Sequence, residues 1–269
     1  MYSVVSGLRR SGTSLMMLAL RQSGVPVIGG KYYFYLGAEN EDKIKAIVSE
    51  RWMDKDLKKL DIDCNPNGYW ETGVICTEIG LIDEAKYMGM KGDVIKIMVE
   101  CLFKSKPEMV DRVILMFREP RRALYSMTKN NSVGQNWEEI ELFAIKHLID
   151  LIDSYEFIKR NNIPHKIVLY EDLLANPFKE FRRVCKFINN GNPHKAASIV
   201  EQKLNRSKQL EGKFKNVETM EKVYEWAKED KLDNLLKIKD QLVQEAKKDY
   251  EVWTRSKVIC NQKTSQDIK

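Results

Sequence analysis

Two glycines near the start of the chain, Gly7 and Gly12, bound a short loop, and two hydroxyl residues, Thr13 and Ser14, follow the second. Upstream, Val4-Val5 reads as the end of a buried strand; downstream, Leu15 to Leu20 is an apolar, helix-forming run. A strand, a glycine-bounded loop and a helix N-terminus make a cradle for an anion. Loop and first-turn N–H groups converge on it, and the helix dipole favours its charge. The spacing matches Gly-x-x-x-x-Gly-Lys-Ser/Thr at every position but one, since Thr13 stands where the lysine belongs. A cation is present three positions earlier, at Arg10. The loop keeps its anion-binding backbone and moves its charge. That argues against phosphoryl transfer from magnesium ATP, where the lysine works on the distal phosphates. It suits an anion that is not a triphosphate.

The order of elements points to a parallel sheet. Asp93 to Met98, carrying Lys96, reads as a second buried strand, and Val113 to Phe117 as a third. Ile163 to Tyr170 reads as a fourth. Between them lie helical patterns: Glu41 to Leu60, Val74 to Met88, a helix after Pro120, and Trp137 to Arg160. Helices at Phe178 to Ile188 and His194 to Leu204 follow, then one or two charged helices from Thr219 to about Trp253. Alternating strands and helices predict an α/β fold of the P-loop type, a mainly parallel central sheet with helices on both faces. At 269 residues this suits a single domain, 1–190 as the α/β core and 191–269 as a helical annex and tail.

Composition narrows the partners. The net charge of +6, from 45 basic and 39 acidic residues, fits an anionic ligand and is no nucleic-acid signature. No run approaches the ~18 apolar residues of a membrane-spanning helix. With no basic-then-apolar leader pattern, a cytoplasmic location is expected. The five cysteines, Cys64, Cys76, Cys101, Cys185 and Cys260, are scattered and read as structural thiols. No metal-ligand cluster is visible.

Three motifs resemble the sulfotransferase family that uses 3′-phosphoadenylyl sulfate (PAPS). Arg9-Arg10-Ser11-Gly12-Thr13-Ser14-Leu15 resembles its 5′-phosphosulfate loop. Arg118-Glu119-Pro120-Arg121, with Ser126 eight positions after Arg118, resembles its 3′-phosphate motif, in which arginine forks onto the phosphate and serine adds a hydrogen bond. Tyr170-Glu171-Asp172-Leu173 to Asn176-Pro177 resembles a third segment, whose tyrosine lies near the adenine and whose acids fix the loop. The resemblance implies sulfuryl transfer from PAPS to a hydroxyl or amine, on a sugar, lipid or small molecule, with adenosine 3′,5′-bisphosphate as product. It implies cofactor contacts by Arg9, Arg10, Ser11, Gly12, Thr13, Ser14, Arg118, Ser126 and Tyr170, and catalysis by Arg10 and Lys96.

Cytosolic members often carry a catalytic histidine two residues after the lysine; here that position is Met98. Other branches of the family use a glutamate, and Gly68-Tyr69-Trp70-Glu71 resembles an aromatic-Glu stretch of its bacterial-type members, which implies Glu71 as the base, with Glu39 second. The aromatic run Tyr32-Tyr33-Phe34-Tyr35 is a candidate wall for the acceptor pocket. A P-loop small-molecule kinase and an inactive nucleotide-binding module are the rival readings.

Overall fold

The computed structural model describes residues 1–28, 94–129, 137–200, 212 and 215–248. Among the described residues five strands form one parallel sheet: β1 Tyr2–Gly7, β2 Val27–Ile28, β3 Val94–Lys96, β4 Val110–Phe117 and β5 His165–Leu169, in the order β2-β3-β1-β4-β5. Central β1 pairs Val4 with Ile95 on one side and Gly7 with Met116 on the other. The helices are α1 Thr13–Gln22, α2 Val99–Leu102, α3 Pro120–Lys129, α4 Trp137–Arg160 and α5 Tyr170–Ala175. They continue with α6 Pro177–Ile188, α7 Pro193–Ala197, α8 Lys215–Lys228 and α9 Asn234–Lys237, and 239–248 is helical. The α/β expectation of a parallel sheet between two helical layers is met.

Strand alternation splits the core into two layers. Val4, Ile95, Val113, Leu115 and Phe117 face α2, α3, α4 and α8; Val217, Met220 and Val223 of α8 belong to this layer. Val5, Val94, Ile114, Met116 and Val168 face α1, α5 and α6. The helix after β1 thus lies on one face, and the helices after β3 and β4 on the other. The chain switches sides at the carboxyl end of β1, where open parallel sheets hold ligands.

Some boundaries differ from the sequence pattern. β3 ends at Lys96, because Met98 already serves as N-cap of α2. Tyr170 opens α5 instead of closing β5. Among the described residues no helix is long and apolar enough to cross a membrane, and the described thiols Cys101 and Cys185 are buried.

Candidate active site

The loop after β1 owes its path to two glycines. A Cβ on Gly7 would lie 2.6 Å from the Met116 carbonyl oxygen, so glycine lets β1 and β4 close up beneath the loop. Gly12, the N-cap of α1, has φ 95°, and a Cβ there would lie 2.4 Å from the Tyr170 ring. Both its dihedral and its neighbour exclude a side chain. Among the described residues α1 has no side-chain cap hydrogen bond, and its first turn holds no acid to offset the positive end of its dipole.

Arg10 adopts a left-handed backbone, φ 65°, which costs a non-glycine residue about 1 kcal/mol or more. Two bonds hold it there. Its carbonyl oxygen accepts Arg118 Nη1 at 3.0 Å, and its Nε donates to Ser126 Oγ at 3.0 Å. Arg118, just past β4, stacks its guanidinium over the Tyr170 ring, 4.5 Å from the centroid. Burial lowers its pKa from the ordinary guanidinium value, with Arg10 and Arg122 acting the same way and Tyr170 and Glu171 opposing. It remains a cation. Tyr170 is 7% exposed, and burial raises its phenol pKa. Its ring is mostly taken up by Gly12 and Arg118.

Lys96 ends β3 on the face shared with Val94, toward α1. It is 3% exposed and donates from Nζ to Ser14 Oγ at 3.1 Å. Thr13, at the place of the missing lysine, is buried and turns its hydroxyl to Met98 Sδ at 3.9 Å. Ser11 Oγ is buried with no hydrogen-bond partner among the described residues. A buried hydroxyl without a partner, packed against Gly7 in this loop, is a donor that a ligand can take up. With three cations and an uncapped helix start around it, the edge fits a bound anion.

Three carboxylates brace the edge, and spacing alone did not single them out for these roles. Glu100 Oε1 accepts Arg9 Nε at 2.9 Å. The Glu119 carboxylate accepts the N–H groups of Arg121 and Arg122, both at 3.0 Å, and so caps α3. Glu171 accepts the Glu119 N–H at 3.2 Å and the Tyr224 hydroxyl at 2.8 Å, tying α5 to the β4–α3 turn and to α8. Arg121 Nε meets Glu221 Oε1 at 2.6 Å, a second link to α8.

The residues from Arg9 to Ser14, with Lys96, Arg118, Ser126 and Tyr170, therefore gather at one sheet edge. Glu71, Glu39 and the aromatic run 32–35 lie outside the described residues. Among the described residues no group of three or more His, Cys, Asp or Glu is arranged to hold a metal. A separate open concavity of about 320 Å³ lies at the opposite, amino edge, beside Ser3, Val94 and Asn189. Its charged pair, Asp111 and Arg112, is satisfied internally at 2.5 Å.

The fold is that of a parallel α/β protein, with a glycine-bounded loop and three cations at its switch point. No family model matches the chain, and no curated protein matches it. A similar solved structure is the sulfotransferase domain of the Synechococcus PCC 7002 olefin synthase. It is 14% identical, the match covers 83% of this chain and 94% of that one, and the TM-score is 0.42.

Proposed function

We propose that this protein transfers a sulfuryl group from PAPS to a hydroxyl or amine of a small molecule or carbohydrate. One observation carries the reading: Arg10, Lys96, Arg118, Ser126 and Tyr170, scattered in sequence, converge through the Arg10–Ser126, Arg118–Arg10 and Lys96–Ser14 bonds and the Arg118–Tyr170 stack. PAPS would supply the activated sulfuryl group and a bisphosphate leaving group. The loop N–H groups, Ser11 and the start of α1 would take the 5′-phosphosulfate. Arg118 and Ser126 would take the 3′-phosphate. Ser126 accepts from Arg10 and keeps its own proton to donate, so one hydroxyl can serve both the loop and the phosphate.

Lys96 and Arg10 would stabilise charge growing on the leaving oxygen. Glu71 is the proposed base for the acceptor proton. Tyr170 chiefly holds Gly12 and Arg118 and would offer the adenine only its exposed rim.

The test is calorimetric titration with adenosine 3′,5′-bisphosphate beside magnesium ATP, followed by transfer from labelled PAPS to an acceptor panel. Bisphosphate binding without an ATP response is expected. Arg118→Ala should weaken it about tenfold or more, the scale of a charge-assisted bond. ATP binding without bisphosphate binding would favour the kinase reading. Full bisphosphate affinity with no transfer to any acceptor would favour the inactive module.

A further inference from the structure

The surface of α6 and α7 carries positive charge that sulfuryl transfer does not use. From Asn176 to Ser198 there are five basic residues, Lys179, Arg182, Arg183, Lys186 and Lys195, and one acid, Glu180. That surplus of four compares with +6 for the whole chain. Glu180 is buried and held by Arg183 at 2.6 Å. The helix period sets the rest. α6 turns Phe181, Val184, Cys185 and Ile188 inward, which leaves Lys179, Arg182 and Lys186, three and four positions apart, on the opposite, exposed face. They span roughly 10 Å of helix at 1.5 Å per residue. Lys195 is exposed on the neighbouring α7. Among the described residues, none of these four cations has a carboxylate partner.

An aromatic ring shares this face. Phe178 is 39% exposed and stacks on His194, with ring centroids 4.3 Å apart. Apart from Met1, it is the one exposed large apolar side chain among the described residues.

We propose that this face docks the protein on an anionic lipid surface. Unpaired cations on long stems each gain attraction from anionic headgroups, and an aromatic ring beside them sits at headgroup depth. A stripe along the outside of one helix can meet a plane over its whole length. The exposed ring is satisfied at a bilayer interface and adds nothing at a phosphate backbone, which favours lipid over duplex nucleic acid. The surface is independent of the sulfotransferase reading.

Co-sedimentation of the full chain with vesicles tests it, using phosphatidylserine in phosphatidylcholine, phosphatidylcholine alone, and a DNA duplex at equal ionic strength. Partitioning to the anionic vesicles is expected, weakening as salt is raised. The triple variant Lys179→Gln, Arg182→Gln, Lys186→Gln should reduce it roughly a hundredfold. Phe178→Ala should reduce it several-fold at low and high salt alike. Both variants alter exposed side chains, and unchanged circular dichroism and urea midpoints verify the fold. Equal binding to neutral vesicles, no binding to anionic vesicles at low salt, undiminished binding by the triple variant, or tighter binding to the duplex would each overturn the proposal.

Discussion

His147 converts burial into a measurable pH dependence. It lies inside α4, 3% exposed, with its ring centroid 3.6 Å from that of Phe143. Nδ1 is 3.0 Å from the Phe143 carbonyl oxygen, which assigns the proton to Nδ1, and Nε2 has no partner among the described residues. Burial, helped by Lys146 and Arg9 and opposed by the Phe143 carbonyl, lowers its pKa from 6.5 to about 3. The unfolded chain takes up this proton near pH 6.5 and the folded chain only near 3, so stability is lost as pH falls through that window. At 1.36 kcal/mol per unit, going from pH ~7.5 to pH ~5 should cost about 2 kcal/mol.

Urea unfolding of the wild type and of His147→Leu at both pH values isolates that amount. Leucine keeps the apolar contact with Phe143, and every other titrating group is common to the two proteins. The variant should lose about 2 kcal/mol less than the wild type between the two conditions. Parallel losses would refute the assignment of a buried, neutral imidazole. The effect bears on the candidate site, because α4 holds α2 through the Ser154 hydroxyl on the Val99 carbonyl, and Glu100 of α2 holds Arg9.

Gly12→Ala forces a Cβ into the Tyr170 ring at φ 95°; a loss of about 2–3 kcal/mol in urea is expected together with weaker bisphosphate binding, and an unchanged midpoint would contradict the close approach. Tyr224→Phe removes the 2.8 Å bond to Glu171 and should lower stability by about 1–2 kcal/mol, read from denaturant midpoints; no change would mean that the α8 brace is idle. Glu71→Gln should leave bisphosphate affinity intact and slow transfer about a hundredfold, whereas full activity would move the base elsewhere.

The strand, loop and helix at the start of the chain were legible because their constraints are local. Two glycines, a short apolar strand and an uncapped helix start are adjacent in sequence, and each has a backbone reason. The second half of β4, Val113 to Phe117, and α4 were equally plain: one is a continuous apolar run, the other a long periodic one, whereas Asp111 and Arg112 hid the start of β4. β2 was not, because two residues, Val27–Ile28, are too few to display any period. Tyr170 read as strand because an aromatic suits a strand, yet the approach of its ring to Gly12 fixes it at the start of α5. The Arg10–Ser126 bond crosses 116 positions and follows only from β1 and β4 being neighbours.

Among the carboxylates only Glu171 was legible, as a loop-fixing acid implied by the third motif; otherwise an acid just inside a helix reads as a dipole partner wherever it occurs. Glu100 sits in the first turn of α2 and Glu171 in that of α5, yet their bonds run to Arg9, Glu119 and Tyr224. Glu119, just before α3, instead caps it directly. That commitment bears on the chemistry. A base needs a carboxylate oxygen directed at the acceptor proton. Glu119 and Glu171 each place both oxygens in bonds that hold the edge together, and Glu100 gives one oxygen to a loop arginine and buries the other. Recruiting any of them would loosen the scaffold that aligns Arg10 and Arg118. The physical case for a base therefore favours an acid free of structural duty, and the Glu71 substitution is where that reasoning meets measurement.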